Sequence, residues 1–256
     1  MNEENLINYY NKFNEEKRLK TRHGYLEFFI TMTYIKKYLK DNDTVCDIGA
    51  GSGVYSKELS NLGYQVTAVD LIKHNVRKIE QKGIKAIQAN ATNLNMFEDN
   101  TFDVTLLLGP MYHLISDEEL IMALREAKRI TKVNGYILVA YCMNDFAIIN
   151  HGFKEHAILE SIKDGLVDES YKITPKETDL YRFVRLEDIN RFNEVLNLKR
   201  ISIINPDGLA NHLRDMVNSL SDEEYEEFLK YNLSICERPE LVGAGYHTLD
   251  ILKKVS

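Results

Sequence analysis

The chain has 256 residues, which is enough for one large α/β domain. Its 44% hydrophobic and 28% charged residues are typical of a globular protein and exclude a disordered chain. The net charge of −7 argues against a broad phosphate-tracking surface, and therefore against nucleic acid as the main partner. The sequence opens without a basic and apolar leader, and no apolar run reaches the ~18 residues that a bilayer span needs. We therefore expect no membrane partner and a cytoplasmic location.

The cysteines and histidines do not form a metal or disulfide pattern. Cys46, Cys142 and Cys236 are widely spaced and lack a CxxC pair, so we expect buried apolar thiols in a reducing compartment. The seven histidines form no HxxxH or HxH pair. No metal site is predicted from these spacings.

Helices and strands alternate along the first half of the chain. The first 40 residues are predicted to be helical, because apolar side chains recur near a 3.6-residue period in TRHGYLEFFITMTYIKKYLK. The predicted strands are TVCDIG, YQVTAVD, IKAIQAN, TFDVTLLLG and YILVAYC. Helices are predicted at 52–62 and 71–82, each ended by a glycine. A third helix, SDEELIMALREAKRITK, begins with the capping box Ser116 and Glu119 and is predicted to end near Asn134–Gly135. Apolar strands without alternation indicate burial on both faces, hence a parallel sheet covered by helices.

The second half of the chain is less regular. Residues 144–185 have mixed character and precede a predicted helix, RLEDINRFNEVLN, and a strand, LKRISII. A Pro-Asp-Gly turn then precedes two predicted helices within 209–236, and GYHTLDILKK is the predicted last strand. We predict a single domain over residues 1–256, with an N-terminal helical lid over about 1–40 and cap insertions at about 144–185 and 207–243.

The stretch VCDIGAGSGVY places three glycines at a strand-to-helix turn, where bare backbone amides often meet a nucleotide. The pattern GxxxxGK[ST] is absent, which excludes a P-loop. Gly49, Gly51 and Gly53 are spaced GxGxG, and Val54 occupies the place of the third glycine of the dinucleotide fingerprint. Asp47 ends the strand, where a carboxylate repels a pyrophosphate. It favours a cationic ligand without phosphate, such as S-adenosylmethionine.

Two further strand ends carry polar residues suited to a nucleoside. Asp70 ends the second strand, where a carboxylate can accept hydrogen bonds from both ribose hydroxyls. NAD and S-adenosylmethionine share that need, so Asp70 does not separate them. Asn90 follows the third strand and could bond the adenine amino group, with the backbone amide of Ala91 near a ring nitrogen.

The ordered series VCDIGAGSG, AVD, NATNL and FDVTLLLGPMYHL resembles the class I S-adenosylmethionine-dependent methyltransferases of the small-molecule type. The resemblance covers residues 20–142 well and 186–205 and 244–254 loosely. It implies an α/β, Rossmann-like fold with a seven-stranded, mostly parallel sheet of order 3-2-1-4-5-7-6, whose last strand is antiparallel, with helices on both faces. It also implies S-adenosylmethionine as cofactor and S-adenosylhomocysteine as product. The cofactor-binding residues that it implies are Asp47, Gly49, Ala50, Gly51, Gly53, Tyr55, Asp70, Leu71, Asn90, Ala91, Thr92, Leu108 and Gly109. Asn90 departs from the family, which usually has Asp there.

Four candidate residues lie outside the glycine, ribose and adenine motifs. Arg22 is predicted to pair the cofactor carboxylate, because the N-terminal segment of related methyltransferases closes over the cofactor. Tyr10 and Tyr112 are predicted to line the acceptor pocket. His113, in GPMYHL, is predicted to act as a catalytic base or to orient the acceptor there. Each has a structural alternative: a solvated helix face for Arg22 and Tyr10, core packing for Tyr112, and a locally hydrogen-bonded side chain for His113.

The expected reaction is an in-line displacement onto a small-molecule acceptor, for which orientation contributes on the order of 7–11 kcal/mol. GPMYHL is not the NPPY-type tetrad of nucleic-acid amino-methylating enzymes, and no RNA-binding module is visible. Three rival hypotheses stay open: an RNA or protein methyltransferase, a cofactor-binding protein without catalysis, and an NAD enzyme. The acceptor, the methylated atom and the oligomeric state are not predicted.

Overall fold

The computed structural model describes residues 6–7 and 15–255 of the chain. Its N-terminal part includes the helices α1 (Glu15–Arg18) and α2 (Arg22–Tyr38). The Thr21 hydroxyl caps α2 by accepting a hydrogen bond from the Gly24 backbone amide at 3.2 Å. Thr21 has an extended backbone conformation, which separates α2 from α1.

One sheet is built from the strands of the described residues. They are β1 (Thr44–Ile48), β2 (Gln65–Asp70), β3 (Lys85–Gln88), β4 (Phe102–Leu107), β5 (Thr131–Met143), β6 (Phe183–Val184), β7 (Lys199–Ile204) and β8 (His247–Lys253). Their order is β3-β2-β1-β4-β5-β8-β7, and the two-residue β6 pairs with β5 off this path. β8 runs antiparallel to both of its neighbours. Apart from β6, this is the predicted order with the predicted antiparallel last strand, so the fold prediction is confirmed.

Helices cover both faces of the sheet. The remaining ones are α3 (Val54–Asn61), α4 (Lys73–Gln81), α5 (Asp117–Ile130), α6 (Asn144–Ala147), α7 (Ile158–Lys163), α8 (Leu186–Val195), α9 (Arg214–Ser219) and α10 (Asp222–Ile235), with a 3-10 turn at Pro110–Tyr112 and a π-helix at Ile148–Lys154. One apolar cluster packs α5 and α8 against the sheet, and a second packs α2 against it with α10 alongside. Within the described residues, no helix is long and apolar enough to cross a bilayer.

The boundary between α5 and β5 differs from the prediction. The helix ends at Ile130 instead of near Asn134–Gly135, and the strand begins at once with Thr131. Thr131 is fully buried, pairs with Phe102 of β4, and its hydroxyl lies 2.7 Å from that of Thr105. These tertiary contacts outweigh the helical pattern of the local sequence, because β-branched threonine fits a buried sheet position.

Candidate active site

The glycine loop between β1 and α3 forms the floor of a crevice at the carboxyl edge of the sheet. Gly49, Gly51 and Gly53 all have positive φ angles, of 70°, 57° and 75°. A Cβ atom at Gly49 would lie 2.5 Å from the Pro110 ring, and one at Gly53 would lie 2.7 Å from Ile79. A Cβ atom at Gly51 would meet nothing within 4 Å. The close packing at Gly49 and Gly53 therefore leaves no room for a side chain, while Gly51 borders open space.

The crevice has two halves, with cavity volumes of about 60 and 50 Å³, which share Gly49, Gly51 and Gly109. The nucleoside half is also lined by Leu6, Asp70, Leu71, Ile72, Asn75, Ala89, Asn90, Ala91, Pro110, His113 and Leu114. The loop half is also lined by Leu19, Asp47, Ala50, Ser52, Val54, Tyr55, Leu108 and Tyr112. Eleven of the thirteen motif residues predicted to bind the cofactor line one half or the other; Gly53 and Thr92 do not.

Asp70 lies at the centre of the nucleoside half and is almost fully buried. Its carboxylate accepts hydrogen bonds from the Gly51 amide at 2.7 Å, the Ile72 amide at 2.8 Å and the Asn75 side chain at 3.1 Å. Burial raises the pKa of Asp70, and these donors oppose the rise. A carboxylate offers about four acceptor sites, so the protein donors leave room for a ligand hydroxyl.

Asn90 has a more local role than the sequence suggested. Its side-chain oxygen accepts from the Thr92 amide at 3.0 Å and from the Thr92 hydroxyl at 2.9 Å, which closes a turn. That oxygen was expected to bond the adenine amino group. Because the oxygen is engaged, the side-chain amide nitrogen is the group that Asn90 presents to a ligand as a donor.

Asp47, which is buried, and the hydroxyl of the half-buried Ser52 are polar groups of the loop half. Asp47 accepts a hydrogen bond from the Ser56 hydroxyl at 2.5 Å, and burial raises its pKa to about 6. Because this exceeds the pKa of an unfolded carboxyl group, ionising Asp47 costs stability as the pH rises through roughly pH 4 to 6. The Ser52 hydroxyl is buried and has no hydrogen-bond partner among the described residues. A buried hydroxyl without a partner is uncommon and points to a ligand group.

His113 lines the nucleoside half and is buried. Its Nδ1 lies 2.8 Å from the Leu180 carbonyl oxygen, to which it donates. Burial lowers the pKa of His113 to about 4, and the Leu180 bond only partly opposes the shift. The imidazole is therefore neutral at pH 7, and the unfolded chain binds the extra proton between roughly pH 4 and 6.5.

Arg22 does not line either half of the crevice. Its guanidinium bonds the Leu220 carbonyl, the Ser221 carbonyl at 3.1 Å and the Asp222 carboxylate, all at the start of α10. It also lies 5.2 Å from the centre of the Tyr225 ring. The predicted pairing with the cofactor carboxylate is thus replaced by an anchor between α2 and α10. Tyr10, the other N-terminal candidate, lies outside the described residues.

A short N-terminal segment, residues 15–20, lies across the loop half; we call it the strap. Leu19 lines that half and is buried, while Leu6 lines the nucleoside half. Lys82, just after α4, pairs with Glu16 and donates to the Ser52 carbonyl at 2.9 Å. The strap is therefore held to the glycine loop by both apolar burial and an ion pair.

A buried charge network borders the crevice, and sequence reasoning missed it. His247 Nδ1 lies 2.9 Å from Asp207 and 3.5 Å from Glu27, which pairs with Arg18 at 2.6 Å. Burial alone would lower the pKa of His247, but the carboxylates raise it well above its usual value. Burial would raise the pKa of Glu27, yet Arg18 and His247 hold it at about 2. No spacing signal links these residues, because each comes from a different segment.

The network also contains the one group of metal-ligating side chains found among the described residues, namely Glu27, Asp207 and His247. Arg18 contacts both oxygens of Glu27, at 2.6 and 3.2 Å, and the side chain of Asn211 donates to Asp207 at 2.9 Å. These partners already satisfy the ligand atoms, so we interpret the group as two linked ion pairs.

A series of neighbouring aromatic rings links Tyr112 to His247 of the charge network. Seven of them form a closed series of neighbours with centroid separations of 4.1 to 6.4 Å; we call this series the aromatic circuit. In order, its members are Tyr112, Tyr181, Phe183, His151, Phe146, Tyr246 and His247. Tyr112 belongs to both the circuit and the loop half, so the circuit adjoins the crevice at Tyr112.

Comparison with known proteins gives one family match and several partial relatives. Residues 46–139 match a family model described as a methyltransferase domain. Demethylmenaquinone methyltransferase of Corynebacterium urealyticum is 32% identical over 102 residues, which is 40% of this chain and 43% of that protein. A ubiquinone biosynthesis O-methyltransferase of Rickettsia bellii is 25% identical over 221 residues, 80% of this chain and 84% of that protein. The chain spans less than half the length of the first curated relatives that it matches.

Solved structures resemble the chain over nearly its whole length. A putative methyltransferase of Haloferax volcanii, in complex with the Trm112 methyltransferase activator, has a TM-score of 0.62 and 14% identity, covering 98% of this chain and 97% of that chain. A possible histamine N-methyltransferase of Thermotoga maritima has a TM-score of 0.58 and 17% identity, covering 96% and 97%. At such identities the likeness establishes a shared fold.

Proposed function

We propose that the chain is a class I S-adenosylmethionine-dependent methyltransferase, which methylates a small-molecule acceptor by in-line displacement and releases S-adenosylhomocysteine. The observation that supports this proposal most is the polarity of the crevice. Each half contains a buried carboxylate, Asp70 or Asp47, and among the described residues no lysine or arginine lines either half. Such a site disfavours a pyrophosphate and suits a cofactor that is cationic at sulfur and nitrogen.

The residues of the crevice fit S-adenosylmethionine, whose sulfonium supplies an already activated methyl group when it is bound. The open space above Gly51 admits a ligand close to the backbone. Asp70 would accept from one ribose hydroxyl, and the Asn90 amide nitrogen would donate to an acceptor on the adenine edge. In the loop half, the Ser52 hydroxyl, which has no partner among the described residues, and the buried Asp47 would bind the amino-acid end.

The contribution of the protein to the reaction is orientation and exclusion of water. The packing of Pro110 against Gly49 fixes the glycine loop against the exit of β4. Leu6 and Leu19 cover the two halves with apolar surface. Holding acceptor and methyl group in line in a closed site contributes on the order of 7–11 kcal/mol in favourable cases.

The acceptor should not depend on His113 for removal of its proton. A base with a pKa of about 4 has little affinity for a proton at neutral pH, whereas efficient bases have a pKa near the working pH. We therefore assign His113 a positioning role through its bond to the Leu180 carbonyl. An acceptor that is already nucleophilic at neutral pH, such as an acidic phenol, a thiol or an activated ring carbon, fits this site.

The acceptor class that the surroundings favour is a flat aromatic molecule. The aromatic circuit begins at the crevice wall, and aromatic rings stack on one another with about 0.5–1.5 kcal/mol beyond area burial. The charges beside it cancel, because Arg18 and His247 offset Glu27 and Asp207. The names of two relatives, a demethylmenaquinone and a ubiquinone-biosynthesis methyltransferase, point in the same direction.

The test is a panel of acceptors read by release of S-adenosylhomocysteine, with phenols, aromatic thiols, aliphatic amines and an RNA as separate arms. We expect turnover with an aromatic arm, and a Tyr181→Leu variant should raise the acceptor KM at least tenfold while leaving S-adenosylhomocysteine affinity unchanged. Tyr171→Leu is the matched control, because Tyr171 is exposed and lies outside the circuit.

Three results would contradict the proposal. Turnover of RNA alone would favour the nucleic-acid rival. Tight binding of S-adenosylhomocysteine without turnover of any arm would favour a binding protein without catalysis. Binding of NADH in place of S-adenosylhomocysteine would remove the methyltransferase assignment.

A further inference from the structure

Arg182 is a buried arginine next to Tyr181 of the aromatic circuit, with a side chain that is only 10% exposed. Its Nη1 donates to the Ile115 carbonyl at 2.6 Å, and its Nη2 donates to the Asp117 carboxylate. The guanidinium also lies 5.9 Å from the centre of the Phe192 ring. Because burying a guanidinium is costly unless it is paired and hydrogen-bonded, these contacts fix the side chain in one geometry.

The partners that Arg182 bonds belong to the turn that leads from β4 into α5. We call residues 112–117 the crevice turn, because Tyr112 lines the loop half and the next residue, His113, lines the nucleoside half. Asp117 is the first residue of α5. The guanidinium therefore bonds the end of the crevice turn that is farthest along the chain from β4.

The backbone around Arg182 bonds the other end of the crevice turn. The Arg182 amide donates to the Tyr112 carbonyl at 2.8 Å, and the Leu180 carbonyl accepts from His113 Nδ1 at 2.8 Å. The Tyr181 ring lies 5.9 Å from the Tyr112 ring, inclined at 30° to it, and 5.1 Å from the His113 ring. This short segment is thus joined to both ends of the turn, and Tyr181 lies beside the two side chains that reach the crevice.

Arg191 provides a comparison, because it shares two of the partners of Arg182. It pairs with the other oxygen of Asp117 at 2.6 Å and lies 4.9 Å from the centre of the Phe192 ring. Its side chain is 48% exposed, and among the described residues it donates to no backbone oxygen of the crevice turn. The bond to the Ile115 carbonyl therefore distinguishes Arg182, whose planar fork can serve a carbonyl and a carboxylate at once.

We propose that Arg182 is a positioning residue for methyl transfer: it ties residues 180–182 to the crevice turn, and so sets the Tyr181 and Tyr112 rings that orient the acceptor. This role rests on the function proposed above. A misplacement of about 1 Å can lower a rate about 100-fold. Loosening the tie should therefore reduce turnover more than cofactor binding, for which the glycine loop and Asp70 supply contacts on other strands.

Steady-state kinetics of Arg182→Met, with the aromatic acceptor that the panel identifies, tests this role. Methionine keeps an apolar stem and removes both donors. We expect kcat at saturating acceptor to fall at least tenfold, while the KM for S-adenosylmethionine and the Kd of S-adenosylhomocysteine change less than threefold. Arg191→Met is the matched control and should keep kcat within threefold, because it removes a guanidinium from the same carboxylate and ring.

A second variant covers the case in which Arg182→Met does not fold. Arg182→Lys keeps the charge, but its single nitrogen cannot reproduce the fork that serves both the Ile115 carbonyl and Asp117. We expect kcat to fall at least threefold in Arg182→Lys and to stay unchanged in its control, Arg191→Lys.

Hydrogen exchange read by mass spectrometry tests the tie without any acceptor. The amides of the crevice turn should exchange at least tenfold faster in Arg182→Met, or in Arg182→Lys, than in the wild type. Those of the glycine loop, residues 49–53, should be unchanged. A wild type that turns over no acceptor would overturn the proposed function, and the exchange of the crevice turn would then decide whether Arg182 fixes it.

Three results would overturn the role of Arg182. An equal loss of kcat in the Arg191 control would assign the effect to the shared partners. A weakening of S-adenosylhomocysteine as large as the loss of kcat would show a general disturbance of the crevice. Unchanged exchange of the crevice turn would show that Arg182 does not fix it.

Discussion

Replacing Asp70 by alanine should separate cofactor binding from folding in a single pair of measurements. The carboxylate accepts three protein hydrogen bonds, from Gly51, Ile72 and Asn75, so Asp70→Ala should lower the free energy of unfolding by about 3 kcal/mol. It should also remove the acceptor for the ribose, for which hydrogen bonds to a charged group indicate about 2 kcal/mol, or roughly 30-fold in affinity.

Chemical denaturation with and without S-adenosylhomocysteine measures both effects. At a ligand concentration of 100 times the wild-type Kd, the ligand should stabilise the wild type by about 2.7 kcal/mol. The same concentration should stabilise Asp70→Ala by only about 0.9 kcal/mol, because the ligand is then about three times its Kd. Asp103→Ala is the control, since Asp103 bonds Thr44 and Lys132 at the start of its strand, away from the crevice. A full ligand-induced stabilisation of Asp70→Ala would refute the placement of the ribose.

Three further predictions follow from the buried groups and the glycine loop. Asp47→Asn should raise the free energy of unfolding at pH 7 by on the order of 1–3 kcal/mol, because the folded pKa of Asp47, about 6, lies above its unfolded pKa. It should also remove the loss of stability between roughly pH 4 and 6. An unchanged pH dependence of the free energy of unfolding in chemical denaturation would count against this prediction. His113→Gln should leave the shape of the pH profile of kcat/KM between pH 6 and 8 unchanged. It should also remove the loss of stability as the pH falls from roughly 6.5 to 4. If the variant instead loses an ionisation near pH 7 from this profile, His113 acts as the general base. Gly53→Ala should lower the free energy of unfolding by about 2–5 kcal/mol, because Gly53 has a positive φ and the new Cβ would clash with Ile79. The control Gly63→Ala should lower it by only about 1–2 kcal/mol, because no atom lies near a Cβ at that position. Equal losses of stability in thermal unfolding would contradict a packing role for Gly53.

The sheet and the nucleoside half were predictable because their determinants are local. Each strand end is marked by a short motif, and the parallel order of the strands then brings Gly51 and Asp70 within 2.7 Å of each other. The parallel sheet needs only that apolar runs be separated by helices, which the sequence displays directly.

The partners of long charged side chains and the position where α5 ends were less predictable, for two separate reasons. Arg22 was expected at the cofactor, but its partners lie about 200 positions later in the chain, where no periodicity could reveal them. The extension of β5 to Thr131 depends on a buried contact with Thr105 on a neighbouring strand. The same difficulty hides His247, whose charge is set by Glu27 and Asp207 from distant segments.

Arg18 gives the N-terminal strap a dependence on ionic conditions that its apolar contacts alone would not produce. Its guanidinium bridges from the strap to Glu27 of α2, whereas α2 itself is anchored to α10 through Arg22. Lifting the strap would separate the Arg18 guanidinium from the Glu27 carboxylate. Glu27 would then keep only His247 as a cationic partner among the described residues. Because unpairing a buried charge is costly and salt screens a partly buried pair only weakly, the strap should open rarely, and added salt should loosen it only slightly. The strap is therefore held in place partly by a charge that lies outside the crevice lining.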